Sequence, residues 1–158
     1  MNPKQKPLMV PTGGSRSRET RTRLGQATVK VSGADTQGAF VVFEVTVDPS
    51  GGPPLHIHHV ENEWSMYLRR NGVPRWRRYI SGELLWSLFA PRMFPHTFRN
   101  VGQEDAKILA LAVPSGRMEA FIVKLDALVA AGVPEPDSLR KVFEKYDFEL
   151  VGPCAPAV

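Results

Sequence analysis

The sequence predicts an all-β domain that is followed by two α-helices. Between residues 27 and 113, short apolar stretches alternate with turn residues, and several stretches repeat with a period of two or are rich in Val, Ile and Phe. After residue 114 the apolar positions change to helical spacing. About eight short strands with turn signals between them are typical of a β-sandwich or a β-barrel.

The strands can be placed one after another along the chain. Residues 27–31 alternate with period two, and residues 38–47 are rich in β-branched and aromatic side chains. Residues 48–54 (DPSGGPP) form a dense turn cluster, and Asn71-Gly72 is a strong hairpin signal. The remaining strands are predicted at residues 55–60, 63–70, 75–80, 84–89, 96–101 and 107–113.

The C-terminal part is predicted to form two amphipathic helices. The apolar stripe of the first comprises Met118, Phe121, Ile122, Leu125, Leu128 and Val129. Ser115 is the expected N-cap of this helix, and Gly132 is its expected stop. The second helix begins near Asp137, and its apolar face comprises Leu139, Val142, Phe143 and Tyr146. Both stripes must cover something apolar, so we expect the helices to pack on the outside of the barrel or on a partner subunit.

Length and composition indicate one globular domain. The chain has 158 residues, of which 42% are hydrophobic and 23% charged. No stretch approaches the ~20 apolar residues that span a bilayer, and the N-terminus lacks the apolar segment of a secretory signal. The single cysteine, Cys154, cannot form an intrachain disulfide, which fits a reducing compartment. We therefore expect a cytoplasmic protein without a membrane partner.

The net charge of +4 is unevenly distributed. Residues 1–25 are basic and rich in Pro, Gly, Ser and Thr, and they are predicted to be a flexible leader. Residues 26–114 are the predicted barrel, 115–150 a helical extension that packs on the barrel or on a partner subunit, and 151–158 a tail. A second basic cluster comprises Arg69, Arg70, Arg75, Arg77 and Arg78. Because a basic patch alone carries no chemistry that reads bases, nucleic-acid binding is not expected.

Three of the four histidines stand within four residues, and His96 follows a proline-rich turn. Alternate side chains of a strand share a face, so His56 and His58 point the same way and His59 points away. Imidazole is a common ligand of transition metals. Since a metal needs three or four converging ligands, His96 and a nearby carboxylate, Glu61 or Glu63, would complete the site.

These segments resemble the two sequence motifs of the cupin superfamily. Residues 51–64 (GGPPLHIHHVENEW) are similar to the first half of the first motif, in which His-x-His is followed by a glutamate. Residues 91–100 (PRMFPHTFRN) are similar to the second motif from its proline to its terminal asparagine. Four glycine positions of the motifs, all in turns, carry other residues here: Ser50, Arg70, Leu85 and Met93. The resemblance covers residues 25–150 and is greatest to small single-domain cupins that are often called quercetin-dioxygenase-like.

The resemblance implies a fold and a ligand set. The fold would be a cupin barrel (a double-stranded β-helix, or jelly roll) with two C-terminal α-helices. The cofactor would be one divalent metal ion (Fe, Mn, Ni, Co or Zn) held by His56, His58, Glu63 and His96. Glu61, two positions before Glu63, is the alternative carboxylate ligand. Asn100 matches the last residue of the second motif and is interpreted as structural.

The same resemblance implies an activity. A metal-dependent dioxygenase that acts on a small enol or phenolic, flavonol-like substrate is the expected function, with Glu63 as metal ligand or as the catalytic base that takes the substrate proton. A non-enzymatic cupin that binds a metal or a small ligand, a sugar isomerase or epimerase, and a keto-acid decarboxylase are the alternatives. Small cupins often pair, which implies a homodimer. Several apolar side chains are candidates for a pocket wall or for the core: Phe43, Met66, Tyr67, Trp76, Trp86, Phe89, Met93 and Phe98.

Overall fold

Nine strands and two helices follow one another in the computed structural model, which describes residues 7–11, 13–16, 27–68, 73–75, 87–132 and 134–154. The strands are β1 (Ala27–Val31), β2 (Val41–Val47), β3 (Pro54–His58), β4 (Asn62–Tyr67), β5 (Val73–Arg75), β6 (Ser87–Ala90), β7 (Thr97–Arg99), β8 (Ala106–Val113) and β9 (Phe148–Cys154). The helices, α1 (Met118–Ala130) and α2 (Pro136–Lys145), lie between β8 and β9.

The strands form one large antiparallel sheet and two small ones. The large sheet has the order β1-β2-β8-β4-β6, while β3 pairs with β9 and β5 pairs with β7. An isolated bridge between His56 and His96 joins β3 to the residue before β7. Each of these two residues donates its backbone N–H to the carbonyl oxygen of the other, at 3.1 and 2.9 Å. This bridge brings two segments that are 40 residues apart in sequence into direct contact.

The core lies on one face of the large sheet. Cross-strand register places Val41, Ala112, Glu63 and Ala90 in one row on that face, because directly opposed residues of an antiparallel pair point to the same side. The buried residues that pack together there are Val29, Val41, Phe43, Ala112, Met118, Phe121, Val142, Phe143 and Phe148. The two helices therefore pack on the barrel, but on the inner rather than the outer side of the large sheet.

Three phenylalanines from the C-terminal part meet in this core. The ring of Phe121 stacks on Phe148, with centroids 4.2 Å apart, and meets Phe143 edge-on at 4.9 Å. Such aromatic pairs add stability beyond the area they bury. Neither helix in the described ranges is long and apolar enough to cross a membrane.

Most of the predicted strands are present with small shifts of their ends. The strand predicted at 38–47 begins at Val41, because residues 33–38 form turns. The hairpin signal at Asn71-Gly72 and most of the strand predicted at 75–80 lie outside the described residues, as do Trp76, Trp86 and the basic side chains of the 69–78 cluster.

The C-terminal prediction missed a strand. Residues 148–150 were assigned to the helical extension and 151–158 to a tail, whereas Phe148–Cys154 forms β9 and pairs with β3. Gly152 and Pro153 have low β-propensity, so the segment looks like a loop in sequence. Pairing with an exposed edge of β3 outweighs that local preference.

The beginning of α1 also differs from the prediction. Ser115 is not the N-cap: the helix begins at Met118, and Arg117 occupies the cap position without a side-chain cap. A turn at Gly116, whose φ is +48°, separates Ser115 from the helix. Gly132 follows the end of α1 as predicted, with a φ of +128°.

Part of the predicted leader is attached to the barrel. The backbone N–H of Arg16 donates to the carbonyl oxygen of Val29 at 2.7 Å, and the Lys30 ammonium donates to the carbonyl oxygens of Pro11 and Gly14. Lys30 also forms an ion pair with the buried Glu44 at 3.0 Å. Residues 11, 13, 14 and 16 of the predicted leader therefore make hydrogen bonds with β1 and β2, while the flexibility of residues 1–25 stays a prediction. Composition alone could not show these contacts, because their partners lie on β1 and β2.

Candidate metal centre

Three histidine side chains converge inside the barrel. His56 and His58 are alternate residues of β3 and share its inner face, and the backbone bridge to His56 brings in His96. One ring nitrogen from each lies within 4.8 Å of the others, and all three side chains are buried. The edge of the Phe148 ring packs against His58 at a centroid distance of 4.6 Å. Strand β9, which the sequence did not predict, thus packs against the histidine cluster through Phe148.

Two backbone carbonyls orient the imidazole rings. The Nδ1 of His56 lies 2.8 Å from the carbonyl oxygen of Pro54, and the Nδ1 of His96 lies 3.0 Å from that of Phe94. A carbonyl oxygen only accepts, so both Nδ1 atoms carry a proton, and in the neutral form of each ring the Nε2 atom presents a lone pair. Such backbone partners fix the orientation of metal-binding histidines.

Glu63 is the carboxylate that faces the histidines. Its Oε2 lies 3.6 Å from His58 Nε2 and 3.7 Å from His96 Nε2, while Ser65 Oγ donates to its Oε1 at 2.7 Å. Glu63 and Ser65 are alternate residues of β4 and point to the same side as Ala112. The structure therefore brings together all four residues that the sequence predicted: His56, His58, Glu63 and His96.

Glu61 faces a different part of the molecule. Its Oε1 accepts the backbone N–H of Arg117 at 3.2 Å, at the beginning of α1. A carboxylate is favourable there because the N-terminus of a helix carries partial positive charge. Gly116 makes room for it, since a Cβ at Gly116 would lie 1.8 Å from Glu61 Oε1. Of the two predicted carboxylates, Glu63 is the one beside the histidines.

His59 and Asn100 make contacts of their own and are not part of the histidine cluster. His59 lies outside the cluster, where its Nε2 meets the exposed Glu149 carboxylate at 3.1 Å. Asn100 is buried and structural: its amide donates to the carbonyl oxygens of Val47 and Glu104 at 2.9 and 2.8 Å, and its Oδ1 accepts the N–H of Gly102. It ties β2 to the loop before β8.

Two of the replaced motif glycines keep the backbone conformation of a glycine. Ser50 and Met93 have φ angles of 63° and 64°, in the left-handed region that favours glycine. The backbone N–H of Met93 donates to the carbonyl oxygen of His58 at 2.8 Å, so this turn holds the histidine strand. Arg70 and Leu85 lie outside the described residues.

Burial controls the protonation of the cluster. Burial lowers the pKa of His56 to about 4, assisted by the charge of His96, and burial lowers the pKa of His58 well below 6.5. Burial alone would raise the pKa of Glu63, but His96, His58 and Ser65 outweigh it and lower that pKa. For His96, Glu63 outweighs burial and raises the pKa. At neutral pH the site thus contains an ionised carboxylate beside neutral His56 and His58.

The donor set fits a metal ion. Two nitrogen ligands that each lie about 2.1 Å from one ion and meet it at a right angle are about 3 Å apart, and His56 Nε2 lies 3.0 Å from His58 Nε2. The buried His96 Nε2 has no hydrogen-bond partner among the described residues. Neutral imidazoles and an ionised carboxylate are the forms that bind metals. The residues present could therefore hold an ion, with backbone carbonyls and Ser65 as the surrounding support.

A cavity of about 400 Å³ adjoins the cluster. His56, His58 and Glu63 line it together with apolar side chains of both the barrel and the helices. Among the predicted wall residues, Phe43 and Phe98 line the cavity, whereas Phe89 and Met93 are exposed at 59% and 62% and Tyr67 belongs to a separate core cluster. The sequence did not predict that α1 and α2 line the cavity. Their apolar stripes can be recognised in the sequence, but the surface on which those stripes pack cannot.

Comparison with known proteins gives structural similarity only. No protein-family model matches the chain, and no curated protein matches it. The structure is similar to that of a predicted oxalate decarboxylase of Thermotoga maritima, with 21% identity, a TM-score of 0.51, and coverage of 56% of this chain and 79% of that one. It is also similar to the polyketide cyclase RemF of Streptomyces resistomycificus (22% identity, TM-score 0.48, 64% and 72% coverage).

A third similar structure is an RmlC-like cupin protein of Desulfovibrio desulfuricans, with 27% identity, a TM-score of 0.41, and coverage of 49% of this chain and 74% of that one. The similarity to the Thermotoga maritima structure, whose TM-score is above 0.5, is a similarity of fold, and together with the antiparallel sheets it shows an all-β cupin fold, the double-stranded β-helix barrel.

Proposed function

We propose that this protein is a metal-dependent dioxygenase whose substrate is a small apolar molecule with an enol or phenol group. One observation carries the proposal: His56, His58, Glu63 and His96 converge at the polar end of a cavity that is otherwise largely apolar. In this proposal these four side chains hold one divalent ion. Bound there, the ion would supply Lewis acidity and a site for O₂ chemistry.

Glu63 acts as a ligand rather than as a general base in this proposal. Its lowered pKa keeps the carboxylate ionised at neutral pH and makes it a weak acceptor of a substrate proton. The hydrogen bond from Ser65 Oγ occupies Oε1 and leaves Oε2 directed at the histidines. The assignment of Glu63 as the catalytic base is the less favoured of the two predicted roles.

The cavity supports the choice of substrate. None of the described residues that line it is Arg or Lys, and its polar residues are the cluster and Asp48 near the rim. A phosphorylated sugar or a dicarboxylate carries more negative charge than the metal ion alone can pair with, and it would find no further cationic partner among the described lining residues, so its remaining charge would lose hydration unfavourably. An apolar molecule with one ionisable hydroxyl group fits the lining. The proposed reaction adds both atoms of O₂ to such a substrate, so it requires no external reductant.

The metal site is tested first. The purified chain and its His56→Ala, His96→Ala and His59→Ala variants are loaded with Mn(II), dialysed and analysed for metal. We expect one ion per chain in the wild type and in His59→Ala, and a loss of at least about tenfold in the two cluster variants. His59→Ala is the matched control because His59 lies outside the cluster. Undiminished metal in the His56 and His96 variants would refute the site.

The reaction is tested next. Metal-free protein is supplied in turn with Fe(II), Mn(II), Ni(II) and Co(II), and O₂ uptake is followed with a flavonol and with a 1,3-diketone. The proposal predicts uptake with at least one metal and its loss in His96→Ala. Metal binding without uptake for any pair of metal and substrate would favour the second candidate, a non-enzymatic cupin that binds a small apolar ligand. The second candidate rests on the same apolar cavity, which does not by itself require turnover.

A further inference from the structure

The cavity extends well beyond the histidine cluster. Its wall continues along α1, where Met118, Ile122, Leu125 and Val129 line it on one stripe. A helix rises about 1.5 Å per residue, so the stripe from Met118 to Val129 is about 16 Å long. The facing wall consists of barrel side chains such as Val45 and Ala110. The site is therefore an elongated slot with a polar end and an apolar end.

We propose that the ligand of this slot combines a metal-chelating oxygen group with an elongated, uncharged apolar tail that lies along α1. The position of the chelating group rests on the proposed function; the position of the tail rests on the slot alone. The helical extension then determines how large a ligand the barrel accepts. In this assignment Leu125 and Val129 are specificity-determining residues.

The part of the slot that α1 and α2 line disfavours a charged tail, and Asp48, the charged lining residue outside the cluster among those described, lies on neither helix. The described residues of α1 and α2 that line the slot are all apolar, and Lys124, the cationic residue of α1, is not among them. Each methylene that moves from water into such surroundings gains about 0.8 kcal/mol, which is about fourfold in affinity. A tail that ends in a charge would lose part of this gain to desolvation.

The apolar wall of the slot is of limited extent. Pro134 and Leu139 line the slot and also line a neighbouring surface cavity, together with Pro54. A tail that passes these residues leaves the apolar wall and reaches a region lined by Arg140 and Pro153. Affinity should therefore increase with tail length and then level off.

The test uses the Zn(II)-loaded protein and a series of alkylcatechols whose side chain grows from methyl to octyl. Isothermal titration calorimetry gives the dissociation constants. We expect affinity to increase by about threefold to fourfold per methylene until it levels off. Leu125→Trp fills the middle of the slot, so affinity should level off at a shorter chain while methylcatechol binding changes by less than about twofold.

Two further variants make the result interpretable. Val123→Trp lies on the same helix, but Val123 is 46% exposed and does not line the slot, so it should leave the series unchanged. Val129→Phe narrows only the far end and should affect only the longest tails. Val129→Phe also replaces Leu125→Trp if the latter does not fold, as judged by circular dichroism.

The outcomes separate the two proposals. If methylcatechol binds and chain length has no effect, the tail assignment is overturned and the proposed metal chemistry stands. A parallel titration uses alkylbenzenes, which cannot chelate, with metal-free protein. If catechols fail to bind the metal-loaded protein but alkylbenzenes show the length dependence and Leu125→Trp removes it, the tail assignment stands and the proposed function fails.

Discussion

The burial of neutral His56 should make the stability of the metal-free protein depend on pH. The pKa of His56 is lowered from 6.5 to about 4 by burial, so the unfolded chain binds more protons than the folded one at mildly acidic pH. The stability contributed by this group is fully present above about pH 6.5 and is lost as pH falls toward about 4. His58 contributes in the same direction.

The size of the effect follows from the shift. One pKa unit corresponds to about 1.36 kcal/mol, and integration of the two titration curves between about pH 7 and about pH 5 gives a loss of about 2 kcal/mol from His56. The raised pKa of His96 opposes this loss as its imidazolium forms beside Glu63. The variant His56→Gln has no titratable group at this position, and its comparison with the wild type therefore reports the effect.

The assay is urea unfolding followed by circular dichroism in the presence of a chelator. The free energy of unfolding of the wild type should fall by about 2 kcal/mol more than that of His56→Gln between about pH 7 and about pH 5. His59→Gln serves as the control, because His59 is exposed and outside the cluster. Parallel curves for the wild type and His56→Gln would show that His56 is not buried as the neutral form, and the reasoning would fail.

Three substitutions test the scaffold around the site by urea unfolding. Phe121→Ala removes a ring that packs between Phe148 and Phe143 and should cost about 3–5 kcal/mol, whereas the exposed Val123→Ala on the same helix should change stability by less than about 0.5 kcal/mol; equal effects would contradict the assigned packing. Asn100→Ala leaves buried carbonyls without their donor and should cost about 2–3 kcal/mol; a neutral effect would contradict its structural role. Met93→Gly removes the steric strain of a left-handed φ of 64° at an exposed position. Glycine also loses more backbone entropy on folding, so the net gain in the free energy of unfolding should be about 0.5–1 kcal/mol. A lower free energy of unfolding would show that the Met93 side chain contributes a contact.

The part of the site that lies on one strand was predictable from sequence. His56 and His58 are two residues apart, and the period of a strand places them on one face whatever the rest of the chain does. Alternation could not separate Glu61 from Glu63, because the two are also two residues apart. Only the structure shows that the chain turns before β4, so that Glu61 reaches the beginning of α1 while Glu63 reaches the histidines.

The C-terminal part shows where sequence reasoning ends. The amphipathic stripes of α1 and α2 predicted two helices correctly, and Gly132 correctly marked the end of the first. A stripe shows that something covers it but does not identify the partner, so the packing on the inner face of the large sheet was not predictable. The strand β9 was missed for a related reason, since its pairing with β3 outweighs the weak preference of Gly152 and Pro153.

The sequence by itself determined the class of fold, the strand that carries His56 and His58, and the imidazole and carboxylate side chains of the candidate site. These features depend on local periodicity and on residue type, because the geometry of a strand or helix fixes which neighbouring side chains share a face. The tertiary structure decided which carboxylate joins the cluster, how His96 meets His56, and that the helices close one side of an elongated cavity. Those features depend on contacts between distant segments. Such contacts form only where apolar surfaces are buried and backbone hydrogen bonds are made at the same time.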